Sequence, residues 1–121
     1  MNTTETNKTV AMKWMSAFNA HDLHALLDLY HHNARHFSPR LKLRQPETNG
    51  LIEGKEKMQE WWREAFDRMP ALKYRLNGLT ADERQVFMEY TRLVPGEEDQ
   101  DVAEVLEVKD GLIVFSRVYL G

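Results

Sequence analysis

Apolar residues in the first part of the chain recur at helical spacing. Ala11, Trp14, Met15 and Phe18 stand at i, i+3, i+4 and i+7, which predicts a helix from about Glu5 to Ala20 with one buried face. Thr3 or Thr4 offers the hydroxyl that caps its free amide groups. The offsets restart after Asn19-Ala20-His21, where Leu23, Leu26, Leu27 and Tyr30 predict a second, short helix capped by Asp22. A third set, Met58, Trp61, Trp62, Ala65, Phe66 and Met69, predicts the longest amphipathic helix, from about Lys55 to Arg68. It is opened by a turn at Gly54 and stopped by Pro70.

Beyond Pro70 the pattern changes to period two, the strand signature. Val86, Met88, Tyr90, Arg92 and Val94 share one face of a strand, and Phe87, Glu89, Thr91 and Leu93 the other. A polar loop, Pro95 to Gln100, separates it from a strand carrying Val102, Glu104, Leu106 and Val108 on one face. Lys109-Asp110-Gly111 then turns the chain into a strand from Leu112 to Leu120. Leu72 to Leu79 reads as a further strand, Ala34 to Pro39 as a short one after the second helix, and Arg40 to Asn49 as a long loop. The order predicts an α+β fold, three helices packed on the concave face of a curved antiparallel sheet, enclosing a cone whose open end suits a small molecule.

Composition narrows the function classes. A chain of 121 residues is one domain, residues 1–121, and zero cysteines exclude disulfides, thiolate nucleophiles and thiolate metal sites. A formal net charge of −3 argues against a nucleic-acid footprint. The polar start of the chain does not read as a secretory leader, and no apolar run approaches the ~20 residues that span a bilayer, so a cytoplasmic protein without membrane contact is expected.

Several stretches in order, Trp14 to Leu23, Leu29 to Ala34, Gly50 to Glu56 and Val108 to Ile113, resemble the SnoaL-like branch of the nuclear-transport-factor-2-like superfamily, which includes polyketide cyclases, ketosteroid isomerase and limonene epoxide hydrolase beside non-catalytic domains. The resemblance covers nearly the whole chain. It implies a cone-shaped α+β barrel and sheet-to-sheet homodimers. The ketosteroid isomerase base falls by resemblance on Ser38, its tyrosine on Trp14 and its acid on Glu104. A serine does not abstract a carbon-bound proton unaided and an indole donates more weakly than a phenol, so steroid isomerisation itself is not expected. The Asp-Arg-Asp arrangement of the epoxide hydrolase is not identifiable, although Arg92 and Glu104 match part of one.

With Glu104 facing the cone, as the resemblance implies, parity puts His36, Ser38, Met88, Tyr90, Arg92, Glu104 and Ser116 on its inner wall. The last strand's facing depends on the turn before it: a three-residue Lys109-Asp110-Gly111 loop with a bulge, the reading turn preference favours, keeps even residues together, whereas a two-residue Asp110-Gly111 turn puts Arg117 opposite Glu104. Arg92 and Glu104 are expected as cross-strand neighbours, either a structural ion pair or an anion clamp with Glu104 tuned by burial. His36 is the candidate general base, its ordinary pKa lying near neutrality, against the alternative of a satisfied structural histidine. Tyr90 reads as an oxyanion donor or as packing with a wet tip, and Trp14 as a pocket wall. His31, His32 and His36 invite a metal, but a helix ending between His32 and His36 breaks the spacing, and no metal or organic cofactor is expected. Phe87, Leu93, Val105, Ile113, Phe115 and Tyr119 form an outer sheet face too apolar to stay wet, which agrees with a homodimer. The reading is a binder of a hydrophobic, carbonyl-bearing metabolite, of isomerase or cyclase type if catalytic, with a non-catalytic ligand-binding or association domain as the alternative.

Overall fold

The computed structural model describes residues 2–121. The chain runs α1 (Thr3–Asn19), α2 (Leu23–Leu27), β1 (Tyr30–Phe37), α3 (Pro39–Arg44), a 3₁₀ turn (Pro46–Thr48), β2 (Leu51–Glu53), α4 (Lys55–Arg68), β3 (Lys73–Ala81), β4 (Gln85–Leu93), β5 (Gln100–Lys109) and β6 (Leu112–Leu120). Six strands form one curved sheet in the order β2-β1-β6-β5-β4-β3. Every neighbouring pair is antiparallel except β1 and β6, which run parallel. This is the expected α+β architecture, with a fourth helix added.

The helices begin where side chains satisfy free amides, though not always where expected. Asn2, rather than Thr3 or Thr4, caps α1, its Oδ1 accepting from the Glu5 amide at 2.8 Å. Asp22 caps α2 as anticipated, accepting from the Ala25 amide at 3.0 Å. The second helix is shorter than its offsets suggest, because Tyr30 opens β1 instead of closing α2. His31 and His32 therefore stand on a strand, not at a helix end. The stretch read as a loop, Arg40 to Asn49, contains α3, started by Ser38 as cap and Pro39 at the first helical position.

Register shifts interrupt three ladders, in β1 between Tyr30 and Arg35, in β3 and in β6, and the last two are bulges that set which residues face inward. In β3, Leu76 pairs with Tyr90 and Gly78 with Glu89, so Asn77 is the extra residue and the inward parity changes there. In β6, Ile113 pairs with Val108 and Phe115 with Glu107, so Val114 is extra. The turn before it is the two-residue form, with φ of 52° at Asp110 and 80° at Gly111. The bulge nevertheless restores even against even, with Leu106 opposite Ser116 and Glu104 opposite Val118. The expected facing holds with the turn type corrected. It also moves Ile113 off the outer face into the core, where it is fully buried.

Trp14, Phe18, Met58, Trp62 and Leu72 from the helical side meet Val86, Met88, Leu106 and Ile113 from the sheet in one core cluster. On the outside, Phe115 is covered by the guanidiniums of Arg35 at 4.3 Å and Arg117 at 5.0 Å, while Phe87 and Tyr119 are exposed. No helix among the described residues is long and apolar enough to cross a membrane.

Candidate functional site

The cone encloses a cavity of about 730 Å³ between α1, α3 and α4 on one side and β1, β4, β5 and β6 on the other. Its walls are Trp14, Phe18, Trp61, Trp62, Leu72, Val102 and Val118, with His36, Ser38, Arg40, Tyr74, Tyr90, Arg92, Glu97 and Glu104 adding polar groups. Both Trp61 and Trp62, adjacent on α4, line it.

Glu104 lies at the centre of this polar set. It projects from the inner face of β5 and is 1% exposed. Tyr90 Oη donates to its Oε1 at 2.7 Å, and its Oε2 is buried with no protein partner. Burial without a counter-charge pushes the carboxyl up to about 8 from the ordinary carboxylate range. Glu104 is thus predominantly a neutral acid at pH 7. Tyr90 is stacked on Tyr74 at 4.1 Å between ring centroids, and burial beside the Glu104 carboxyl holds its phenol well above the usual range, so it stays protonated and keeps its O–H for donation.

A second polar chain runs behind the wall. Trp14 Nε1 donates to Tyr30 Oη at 3.1 Å, Tyr30 donates to Ser116 Oγ at 2.9 Å, and Ser116 Oγ lies 2.6 Å from His36 Nδ1. Ser116 Oγ either accepts from a protonated Nδ1 or donates to a bare one, so this contact engages Nδ1 in both neutral tautomers of His36. Burial lowers the imidazole to about 4, so it is neutral at physiological pH. A buried, neutral ring held through Nδ1 by Ser116 fits the satisfied structural histidine better than a general base poised near neutrality.

The remaining anticipated residues divide between the cavity, the core and the surface. Arg92 and Glu104 are not cross-strand partners: Arg92 pairs with Gln100 and Glu104 with Met88 in the register. The β4–β5 connection is displaced relative to a symmetric hairpin, and Arg92 Nη1 instead donates to Glu97 Oε1 at 2.7 Å. Ser38 lines the cavity, but its Oγ accepts from the Arg40 amide at 3.2 Å as the α3 cap. Trp14 is a wall residue as expected. Met88 is fully buried in the core and Ser116 is wholly covered behind His36, so neither stands on the cavity surface. His31 and His32 stack on each other at 4.3 Å, on residues more exposed than the buried His36. His21, at a corner with φ of 53°, bonds the Leu72 carbonyl at 2.7 Å and stacks on Phe66.

Sequence reasoning missed Arg40, Tyr30 and Tyr74. Ser38-Pro39, a cap followed by a proline at the first helical position, was the available signal for α3 and so for Arg40. Tyr30 and Tyr74 gave no signal beyond apolar spacing.

A sequence profile of the SnoaL-like domain matches residues 11–116. Comparison with curated proteins gives no match. Among solved structures, a SnoaL-like protein of unknown function from Burkholderia thailandensis is similar over 97% of this chain and 95% of its own, with TM-score 0.87 and 26% identity. A candidate ketosteroid isomerase from Kribbella flavida has TM-score 0.81 and 20% identity, over 98% of this chain and 79% of that one. A nuclear-transport-factor-2-like protein from Anabaena variabilis has TM-score 0.78 and 20% identity, over 100% and 93%. At these identities the last two likenesses speak for the fold.

Proposed function

The chain belongs to the SnoaL-like domain family, and from that premise we propose that it binds a hydrophobic, carbonyl-bearing small molecule in the cone. The observation that carries this reading is the buried carboxyl of Glu104, neutral at pH 7, with Oε1 held by Tyr90 and Oε2 without a protein partner. A neutral acid on an aromatic wall donates a hydrogen bond, and a carbonyl oxygen is the acceptor that an otherwise apolar molecule brings. His36 adds a neutral imidazole to the same cavity wall.

The same titration favours a second reading, in which the protein turns its ligand over without a cofactor, in a proton transfer of the isomerase or cyclase type. A carboxyl titrating near 8 populates both forms at neutral pH, so as carboxylate it can take a proton from the carbon beside a carbonyl and as acid return it. The candidate ketosteroid isomerase among its structural neighbours belongs to that class of chemistry. A non-catalytic binding or association domain is the rival.

One experiment separates these readings: mass spectrometry of the ligand retained through purification, followed by binding and turnover measurements on it. Glu104→Leu, which removes the donor, should lose affinity, whereas Glu104→Gln, which keeps an N–H donor, should bind within a few-fold of wild type. In the catalytic reading Glu104→Gln also slows exchange of the ligand's proton with deuterated solvent by about 10²–10⁴-fold. Unchanged affinity in Glu104→Leu would overturn the site. Unchanged exchange in Glu104→Gln would overturn the catalytic reading alone.

The outer sheet face belongs to the same proposal as a homodimer surface. Phe87 pairs with Val105 and Tyr119 with Ala103, so these residues adjoin on neighbouring strands and place two exposed aromatic rings on one patch.

A further inference from the structure

The cavity has an unanswered positive end. Arg40, Arg44, Arg68 and Arg92 all line it. Arg44 is paired with Glu64 at 2.8 Å and Arg92 with Glu97 at 2.7 Å. Among the described residues no carboxylate lies within ion-pairing distance of Arg40 or Arg68.

Two of these guanidiniums are poorly satisfied for their burial. The Arg92 side chain is 6% exposed, and its Nη2 donates to Met69 Sδ at 3.1 Å, sulfur being a weak acceptor. The Nε of Arg40 is buried with no partner, while its Nη2 donates to the neutral amide oxygen of Gln100. Burial, and after it the like charge of Arg92, depress the Arg40 guanidinium, which places the two charges in each other's field. Arg92, Arg40 and Arg68 all act on the Glu97 carboxylate of the β4–β5 loop, which is half-exposed. Glu97 shows what this cluster accepts: a carboxylate, approaching from solvent, at the open end of an aromatic cavity.

Given a cone that binds a carbonyl-bearing molecule, the reading on which this one rests, we propose that Arg40 and Arg92 form a carboxylate subsite. The ligand is then an amphipathic keto acid with its carbonyl oxygen on Glu104 and its carboxylate on the arginine pair. The bound carboxylate supplies the oxygen acceptors that Arg40 Nε and Arg92 Nη2 lack, and relieves the repulsion between the two guanidiniums. Apolar walls between the two ends hold the hydrocarbon part.

The probes are 4-oxo-4-phenylbutanoate and its methyl ester, which share the ring and ketone and differ in charge and one methyl group, titrated by quenching of Trp14, Trp61 and Trp62 fluorescence. Wild type should bind the acid about tenfold more tightly than the ester at low salt, as a desolvated charge-assisted pair requires. The preference should fall to near unity in Arg40→Gln and, independently, in Arg92→Gln. Glu104→Leu should weaken both probes alike and leave the preference intact. Equal affinity of acid and ester for wild type would overturn the subsite and leave the cavity reading standing, whereas binding of neither would overturn both. A preference surviving both arginine variants would overturn the residue assignment. Wild type alone provides an independent check, since raising salt from about 20 mM to about 0.5 M should weaken the acid several-fold and leave the ester unchanged. An acid titration indifferent to salt contradicts the proposal.

Discussion

Two buried titratable groups, Glu104 and His36, pull stability in opposite directions with pH. The folded state holds a proton on Glu104 up to about 8, against an ordinary value of 4.5, so it binds more protons than the unfolded chain between these limits and stability falls as pH rises through them. His36 behaves inversely, its folded value of about 4 lying below the ordinary 6.5, so its contribution is present at high pH and is lost as pH falls from 6.5 through 4. The slopes cancel between pH 4.5 and 6.5, and Glu104 alone lowers stability between 6.5 and 8. Full ionisation of so buried a carboxyl costs on the order of 5 kcal/mol by this shift. Urea denaturation across this range should show a plateau and then a decline in wild type. In Glu104→Gln the curve should rise to pH 6.5 and stay level, and a decline above 6.5 that survives the substitution contradicts the assignment. At this scale parity on the strands, with the face fixed by the resemblance at Glu104, placed His36, Tyr90, Arg92 and Glu104 on the cavity wall. It did not find their partners, because a pattern of alternation says which face a residue occupies and nothing about register. Arg92 and Glu104 looked like neighbours across a symmetric loop, whereas the true register, with Arg92 opposite Gln100, gives Arg92 to Glu97.

Elements with a clean period were legible and those defined by local chemistry were not. The bounds of α4 and β6 follow the sequence reading closely, since Met58, Trp61, Trp62, Ala65 and Phe66 on one and the alternation of Leu112 to Leu120 on the other leave little choice. By contrast, α3 has only Leu41 buried and no apolar stripe, and its start depends on a serine oxygen meeting the Arg40 amide. Ser38→Ala should cost about 1 kcal/mol by urea denaturation, the usual worth of a cap. Because the cap also seats Arg40, the same substitution should reduce the acid-over-ester preference of the cavity, whereas a purely structural cap leaves that ratio alone. The β1–β2 connection is similarly local. Gly50 has φ of 87°, and a Cβ there would stand 2.7 Å from Phe37 Cε2, so Gly50→Ala should destabilise by about 1–3 kcal/mol. A change below about 0.5 kcal/mol would show that the turn is not confined as described.

At the scale of the whole molecule, a curved, bulged sheet and four helices make a cone that is apolar along its walls, acidic but uncharged in its depth and basic at its rim. The outer face is more polar than its sequence suggested, with Ile113 turned inward and Phe115 under two arginines, and this moves the test of self-association to other residues. Sedimentation of wild type at micromolar concentration should give a dimer, and Tyr119→Glu combined with Phe87→Glu a monomer. A monomeric wild type removes the dimer surface from the account. The carbonyl-binding and catalytic readings of the cavity depend on the protonation of one carboxyl, and that is directly measurable. In a 13C NMR titration of protein labelled at the glutamate side-chain carboxyl, the resonance missing from Glu104→Gln is that of Glu104. It should titrate with a midpoint near pH 8 in the ligand-free protein, and a midpoint in the ordinary range near 4.5 would contradict the neutral acid on which the function rests.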